Sequence, residues 1–511
     1  MTTAAVAPSK DNGRPRLAMV LLLALPALIL MGIGAGIVAG VRGSEFTILA
    51  LALLTGAVGF IPVILDVGRP YQRRHILVTF TALSFIANFV VSVFTTYFFF
   101  DVVAQNEYLG NTDLMSIRPA DIVNGQIAAL ISLLLMLAGY AVPVGRVLRG
   151  VPLTPRRDWT YQATLMMAAF MIPLGWMIFL SSVFGILPKR MGSGFLGMIS
   201  NSTYFGLALL MLAYLRYRSR GALWMMLLLI PPSMAFNFLT GSKTALLSPP
   251  AIVAVAYIVV KRRIAIRWIM AAIAAVILIY PIAEFQRRVI LRGNTQGAAY
   301  ALRKPVELVS RISRFVGSQE LGDYLMQGIQ ATSRRSDGLG ILSVIVRDCP
   351  SRVPYQGGWT LAYIVLSYVP RVVWADKPDM TIGIWVTSNF GSGPGVASHT
   401  APTWIGELYF NFGWPGIVIG MLLMGIFMRA LHELLYQSDA PIPAQILAIV
   451  VLFGFPQSVQ ALLMSAVNCV FFGAMPVVVA HWGVRFLGGT TLPARAAGSP
   501  RGFVTNATAS I

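Results

Sequence analysis

The sequence predicts an all-α polytopic membrane protein with about twelve transmembrane helices and one large outward-facing loop. Hydrophobic residues make up 57% of the 511 residues and charged residues only 11%, less than half of the charged fraction in an average soluble domain. The apolar residues form repeated runs of about 17 to 25 residues, which is the length needed to cross a hydrocarbon core about 30 Å thick. A soluble protein could not bury so much apolar surface, so we expect the chain to lie in a bilayer.

Nine predicted spans precede the large loop and three follow it. The first run is too long for the apolar part of a cleaved signal peptide, so we expect it to remain as a span. The predicted spans are residues 17–41, 46–66, 75–100, 121–143, 160–184, 199–215, 222–240, 245–260, 268–283, 402–428, 441–457 and 459–482.

The distribution of basic residues predicts the orientation of these spans. Of the 39 lysines and arginines, 21 lie in segments that share a side with the two termini, and only 5 lie in the short loops of the opposite side. Because basic residues favour the cytoplasmic side, we expect both ends, residues 1–16 and 483–511, to be disordered cytosolic tails. The net charge of +20 then follows from topology, and no nucleic-acid partner is expected.

The remaining 13 basic residues lie in residues 284–401, which also carry eight carboxylates. This large loop is predicted to face outward and to contain two amphipathic helices, at 305–315 and 321–329, that could lie on the membrane surface. Its apolar stretch 359–374 is short and interrupted by Pro370, which favours an interfacial or re-entrant segment. Arginine binds phosphate through a planar fork of donors, so the loop is expected to attract a lipid diphosphate. For any single arginine, the alternative is an ordinary ion pair or a headgroup contact.

No metal site, cofactor or cysteine chemistry is predicted. The only two cysteines, Cys349 and Cys469, are far apart in the sequence and form no CxxC motif. The large loop lacks a DxD-like acidic pair, and a basic pocket can stabilise negative charge without a cation.

Two polar segments are candidates for substrate binding. Residues 239–245 form a polar turn with Ser242 and Lys243, and this turn lacks the GxxxxGK[ST] spacing of a nucleotide-binding P-loop. Residues 369–378 place Arg371 and Lys377 on an aromatic, proline-stiffened surface. The alternatives are a helix-capping turn for the first segment and an aromatic interface belt for the second.

Two ionisable residues near the tenth predicted span are candidates for proton transfer. His399 lies in a glycine-rich stretch and could take a proton near neutral pH, whereas Glu407 lies about one turn inside the span. An ionisable residue within a span is by default a functional hypothesis. The alternatives are a solvent-exposed loop histidine for His399 and a buried partner of an arginine for Glu407.

Five stretches in this part of the chain resemble the oligosaccharide repeat unit polymerase family, which includes O-antigen and exopolysaccharide polymerases. The resemblance covers residues from about 235 to 425, and the first 230 residues add topology only. The stretches are residues 238–247, 335–339 (Arg-Ser-Asp-Gly-Leu), 355–360 (Tyr-Gln-Gly-Gly-Trp-Thr), 370–378 and 405–413 (Ile-Gly-Glu-Leu-Tyr-Phe-Asn-Phe-Gly).

The resemblance implies a GT-C-like fold in the bacterial inner membrane that joins undecaprenyl-diphosphate-linked saccharides without nucleotide sugars. The large loop, residues 284–401, would then face the periplasm and cover the active site. Arg288, Arg335 and Arg371, helped by Lys243 and Lys377 and by Ser242 beside Lys243, would hold the donor diphosphate. His399 would be the base, and Glu407 would orient the arginines or share that role. The implied partners, besides membrane lipid, are a chain-length regulator and a flippase.

Three other functions remain open on the sequence: an O-antigen-ligase-like transferase, a transporter of lipid-linked glycans, and a non-catalytic scaffold. A transporter commonly shows two related halves and ionisable residues along a path through the membrane. Here nine spans precede the loop and three follow it, and the spans before the loop carry almost no charge. The sequence specifies neither the sugar nor the linkage.

Overall fold

The computed structural model describes the chain in segments, and nearly all of them are helical. The described residues are 43–70, 73–94, 117–148, 157–184, 201–238, 243–262, 266–286, 305–335, 338–369, 382–391, 401–437 and 440–491, together with residues 26, 29–32, 186, 374 and 377. The all-α prediction is confirmed for this part of the chain.

The helices are numbered here in chain order. They are α1 (Ser44–Gly68), α2 (Ile76–Phe85, extended by a π-helical turn Ile86–Val91), α3 (Pro119–Ala141), α4 (Gly145–Leu148), α5 (Tyr161–Val183), α6 (Ser202–Tyr217), α7 (Arg220–Phe238), α8 (Lys243–Lys261), α9 (Ile266–Gln286), α10 (Pro305–Gly317), α11 (Leu321–Arg335), α12 (Gly338–Asp348), α13 (Trp359–Leu366), α14 (Ile382–Phe390), α15 (Thr403–Leu435), α16 (Ile442–Gly454, followed by a 3₁₀ turn Pro456–Gln460) and α17 (Leu463–Phe486). Two short strands, β1 (Asp158–Trp159) and β2 (Thr490–Thr491), pair antiparallel.

In the part of the chain that the structure describes, seven helical segments are long and apolar enough to cross a membrane: α1, α3, α5, α7, α15, α16 with its 3₁₀ turn, and α17. Three shorter apolar helices lie in α2, α8 and α9. Eleven of the predicted spans coincide with one of these elements or with α6. The first predicted span, 17–41, lies mostly outside the described residues, so the number twelve stays a prediction, as does the GT-C-like fold.

The segments predicted to share the cytoplasmic side meet at one end of the helices. Arg74, between α1 and α2, donates to the carbonyl of Arg262 at the end of α8, at 3.2 Å. His75 stacks on His432 of α15, with ring centroids 4.2 Å apart. We call this end, with Asp66, Arg74, His75, Arg262 and His432, the basic end. The shared side agrees with the predicted topology, and its cytoplasmic location stays a prediction.

Helices α3 and α15 are packed backbone to backbone through two glycines. A Cβ on Gly425 would lie 2.0 Å from the carbonyl oxygen of Met136, and one on Gly139 would lie 2.1 Å from that of Leu422. Small residues allow this close approach in membranes, where the hydrophobic effect does not drive helices together. The positions of the residues at either end of α15 are therefore fixed relative to α3.

The large loop contains more structure than the sequence predicted. Helices α10 and α11 confirm the two predicted amphipathic helices, but both pack on α9 as well: Phe315 stacks on Phe285 at 4.3 Å, and the Tyr324 hydroxyl donates to the Leu278 carbonyl. Helix α12 was not predicted. Its residues Ser343, Val344 and Ile345 are buried between α3 and α15.

Helix α13 agrees with the interfacial or re-entrant prediction for residues 359–374. It has eight residues and is therefore about 12 Å long, which is too short to cross a bilayer. Its C-terminal turn contacts α17 through Tyr368, whose hydroxyl donates to the side-chain oxygen of Asn468 at 2.8 Å.

Candidate active site at the loop end

Two of the stretches that resemble the polymerase family are bonded to each other. The backbone N–H of Gln356 donates to the Phe410 carbonyl at 2.9 Å, and the N–H of Gly357 donates to the Asn411 carbonyl at 3.1 Å. The N–H of Gly358 donates to the side-chain Oδ1 of Asn411 at 2.9 Å. Residues 355–360 are thus docked on the first turns of α15. We call this region, around residues 355–360 and 403–413, the loop end.

A break in α15 makes this docking possible. Gly413 has a φ of 67° and a ψ of −149°, so the helical hydrogen bond of the Phe410 carbonyl is lost. The helical donor to the Asn411 carbonyl would be residue 415, which is a proline and has no N–H. Both carbonyls therefore need donors from elsewhere, and residues 355–360 supply them.

Asn411 makes three side-chain hydrogen bonds, two to residues 358–360 and one within α15. Its side-chain nitrogen donates to the hydroxyl of Thr360 at 2.7 Å and to the carbonyl of Glu407 at 2.8 Å, while its oxygen accepts from Gly358. The residue is 1% exposed, so water cannot replace these bonds. Sequence reasoning did not select Asn411. The available signal was its position, four residues after Glu407 and four before Pro415.

Glu407 joins α15 to the start of α17. The side chain is 0% exposed, and Oε2 accepts from the backbone N–H of Leu463 at 2.5 Å. Its other oxygen, Oε1, has no hydrogen-bond partner. Among the described residues, no lysine or arginine forms an ion pair with Glu407. The interpretation of Glu407 as an arginine partner therefore finds no support in this part of the chain.

A third stretch of the resemblance, residues 335–339, also reaches the loop end. Gly338 begins α12 between α2 and α15, where an added Cβ would lie 3.3 Å from the Cβ of Asn88 and 3.3 Å from the Cγ2 of Thr403. Thr403 caps the first turn of α15 by accepting from the N–H of Gly406 at 3.1 Å. Glu407 follows one turn later. Three of the five stretches thus meet around one end of α15.

Lys377 caps the end of α13. Its ammonium nitrogen donates to the carbonyls of Ser367 at 3.2 Å and Val369 at 3.1 Å. Carbonyls at a helix C-terminus carry partial negative charge and favour a cation there. This contact gives the predicted substrate-binding lysine a structural role, and its role with a diphosphate stays a prediction.

Exposed aromatic side chains surround the docked segment. Tyr355 is 44% exposed, Phe412 42% and Trp414 38%. Tyr355 and Trp414 both pack edge-on against Tyr409, with centroids 6.4 and 5.8 Å apart. The rings of tyrosine and tryptophan are amphipathic and are typical of a membrane–water interface. They indicate that the loop end lies near the depth of the lipid headgroups.

The other predicted site residues are only partly described. Arg288, Arg371, His399 and Ser242 lie outside the described residues. Arg335 ends α11 and Lys243 begins α8, and their side chains are outside the described part as well. The structure therefore tests none of their predicted roles.

Some loop arginines have the ordinary role that the sequence left open. Arg311 pairs with Glu307 at 2.6 Å within α10. Arg347 and Arg352 both pair with Asp348, at 2.7 and 3.4 Å. The positive charge left for an anion is thus smaller than the count of 13 suggests.

Neither cysteine forms a disulfide, and within the described residues no three His, Cys, Asp or Glu side chains gather as a metal site.

Cys349 should resist alkylation in the folded protein. It is 4% exposed, and burial, with the charge of Asp348 as a smaller cause, raises the pKa of its thiol to about 12. Because the thiolate is the nucleophile, reaction with a maleimide at pH 7 should be at least about tenfold slower than in denaturant. Peptide mass spectrometry separates Cys349 from Cys469, and equal rates in both conditions would contradict the burial.

The comparison with known families decides the identity of the chain. A model of the family described as "Putative O-antigen polymerase" matches residues 194–454, slightly more than half of the chain. The chain belongs to the O-antigen polymerase family. The matched region contains all of the docked segments of the polymerase, including Gly338, Asn411 and Glu407. No curated protein and no solved structure matches the chain.

Membership in the O-antigen polymerase family, together with the seven membrane-crossing segments, makes this a multi-pass membrane protein that polymerises saccharide repeat units. The matched region begins just before α6 and ends with α16. Helices α1 to α5 of the polymerase lie outside it, yet α2 contributes Asn88 to the loop end.

Proposed function

We propose that the protein joins undecaprenyl-diphosphate-linked oligosaccharide repeat units into a surface or exported polysaccharide, at the periplasmic face of the bacterial inner membrane. The supporting observation is the convergence of residues 338–339, 355–360 and 403–413 at one end of α15. These segments come from separate parts of the large loop and from α15, and they include three of the five stretches on which the family resemblance depends. A GT-C-like fold and cytoplasmic termini belong to the same proposal.

The proposed reaction needs only groups of this chain and two lipid-linked substrates. A hydroxyl of the acceptor unit attacks the anomeric carbon of the donor chain, and its proton passes to His399. The bond between that carbon and the diphosphate breaks, and undecaprenyl diphosphate leaves. Arg371, with Arg288 and Arg335, stabilises the charge that develops on the departing diphosphate. Lys377, Lys243 and Ser242 complete the proposed binding site.

We assign Glu407 a positioning role within this site. Both of its carboxyl oxygens are buried, so neither reaches a substrate in this conformation. Its bond to Leu463 fixes the 3₁₀ turn and the start of α17 against α15. The exposed rings of Tyr355, Phe412 and Trp414 lie beside the docked segment, where the apolar faces of sugar rings could pack on them.

The test uses purified full-length protein and a lipid-diphosphate-linked repeat unit, without nucleotide sugar or divalent metal. We expect a ladder of oligomers on a gel, and we expect Arg371→Ala to slow its formation roughly 100-fold, which is a typical cost of removing one group that stabilises a developing negative charge. The matched control is Arg311→Ala, because Arg311 already pairs with Glu307 in the same loop. It should form a normal ladder.

Other outcomes identify the alternatives. Transfer of a finished glycan to a different acceptor, without a ladder, would indicate a ligase-like transferase. Movement of labelled lipid between the leaflets of a proteoliposome, without any new glycosidic bond, would indicate a transporter. Equal loss of the ladder in both arginine variants would show that Arg371 has no special role. A chain-length regulator and a flippase are proposed partners in the cell.

A further inference from the structure

The basic end gathers more positive than negative groups among packed helices. Four arginines and two histidines come together there from three parts of the chain, residues 69–75, Arg262 and residues 429–432, whereas the described residues place two carboxylates there. The positive charges of Arg262 and Arg429 are close enough to act on the rings of both His75 and His432. The cations and histidines are Arg69, Arg74, His75, Arg262, Arg429 and His432, and the carboxylates are Asp66 and Glu433.

Both carboxylates are already engaged. Asp66 accepts from the N–H of His75 at 2.8 Å and from the hydroxyl of Thr79 at 2.7 Å, and it pairs with Arg69 at 3.5 Å. Glu433 pairs with Arg429 at 2.6 Å. Neither of these two carboxylates forms an ion pair with Arg262.

Arg262 is buried, and the charge of Asp66 acts on its guanidinium without forming an ion pair. The residue is 6% exposed, and its guanidinium lies over the ring of Tyr436 at 5.3 Å. Among the described residues it forms no ion pair, and its Nη1 has no hydrogen-bond partner. Burial lowers the pKa of this guanidinium, which reflects the cost of holding the charge away from water.

Two more buried nitrogens of the same cluster lack hydrogen-bond partners: Nε of Arg429, which is a donor, and Nδ1 of His432, which can be a donor or an acceptor. Arg429 also approaches Nδ1 of His75 at 3.4 Å, and the Tyr140 hydroxyl lies 2.6 Å from the same nitrogen. Since a guanidinium can only donate, Nδ1 of His75 is an acceptor, and its ring is neutral. The cluster is therefore rich in donors and poor in acceptors.

We propose that the basic end binds a phosphate group, held by Arg262 and Arg429 with His432 and Arg74 beside them. Arginine forks match the oxygens of phosphate, and the unpartnered N–H groups would find their acceptors in those oxygens. Basic pockets between transmembrane helices on the cytoplasmic side commonly bind anionic lipid headgroups. The same chemistry also fits free inorganic phosphate, and the experiment below separates the two sources.

This site is separate from the proposed saccharide chemistry. Glu407 and Arg429 lie on opposite sides of the break in α15, and Arg429 is about 24 Å beyond Gly413 at 1.5 Å per residue. Access is from the surface, because the side chains of Arg69 and Arg429 are 39% and 24% exposed. The proposal therefore stands or fails independently of the reaction at the loop end.

The test measures thermal unfolding of lipid-depleted full-length protein. Additives are inorganic phosphate, short-chain phosphatidylglycerol, phosphatidylcholine, and chloride at matched ionic strength. A ligand that binds only the folded state raises the midpoint, so phosphate or phosphatidylglycerol should raise it above the chloride and phosphatidylcholine samples. Arg262→Gln should weaken apparent binding by about tenfold or more.

The matched control is Lys261→Gln, an exposed neighbour with the same change in charge, and it should retain the shift. The ligand-free midpoint of Arg262→Gln should change little, because the variant removes a buried charge that forms no ion pair among the described residues; a merely structural role would lower it instead. If that variant does not fold, Arg262→Lys, which keeps the charge and loses the fork, should show a reduced shift.

A shift with phosphatidylglycerol alone supports the site and identifies a lipid headgroup. A shift with inorganic phosphate alone supports it and identifies a free phosphate. The proposal is overturned if neither additive raises the midpoint above its control, or if the folded Arg262 variant keeps the full shift. A shift abolished by Arg371→Ala but not by Arg262→Gln would place the phosphate at the loop end and would also overturn the proposal.

Discussion

Asn411→Ala should lower the free energy of unfolding by about 3 kcal/mol, because it removes three buried hydrogen bonds that each contribute about 0.5–1.5 kcal/mol. It should also reduce oligomer formation more than tenfold, since residues 355–360 would lose their attachment to α15. The measurements are denaturant unfolding, the gel ladder, and hydrogen exchange of the Gln356, Gly357 and Gly358 amides. Exchange of these amides should become much faster.

Two further variants sharpen this prediction. Asn411→Asp keeps the acceptor for Gly358 but loses both donated bonds and adds a negative charge beside Glu407, so it should be at least as harmful as alanine. Asn389→Ala is the matched control, because the Asn389 amide donates to the Trp385 carbonyl within α14. It should change stability and activity little. Unchanged exchange in the Asn411 variants would contradict the proposed docking role.

Gly425→Val should prevent most of the protein from reaching its folded state. Any Cβ at this position would lie 2.0 Å from the Met136 carbonyl and 2.7 Å from the Tyr140 nitrogen. These are backbone atoms of α3 and cannot rotate away, so the two helices would have to separate. Overpacking commonly costs about 1–3 kcal/mol, which we expect for Gly425→Ala, and valine should cost more. The readouts are the monodisperse fraction in size-exclusion chromatography and the unfolding midpoint.

The control is Gly483→Ala in α17. Nothing lies within 4 Å of a Cβ built there, and alanine favours a helix over glycine by about 1 kcal/mol. This substitution should leave the midpoint unchanged or raise it slightly. A folded, fully stable Gly425→Val protein would show that α3 and α15 are not packed backbone to backbone.

The sequence predicted the candidate site unevenly. Glu407 could be selected because an ionisable residue stands out within an apolar span, but its partner, the backbone N–H of Leu463, has no sequence signature. Asn411 is an ordinary polar residue by sequence, and only the break at Gly413 and the docking of residues 355–360 make it central. Arg262 was counted as one more cytoplasmic charge, although it is buried.

The sequence by itself determined the solvent, the spans and the sidedness pattern of this protein, because the period, length and flanking charges of apolar runs are local properties that a bilayer selects directly. The sequence also indicated the family, through five short stretches that resemble the polymerases. Only the tertiary structure decided that α12 is wedged between α3 and α15, that Lys377 caps α13, and that Arg262 is buried at the basic end without an ion pair among the described residues. These contacts join residues far apart in the chain, and their energies depend on burial and on which donors remain unpaired, which no local pattern records.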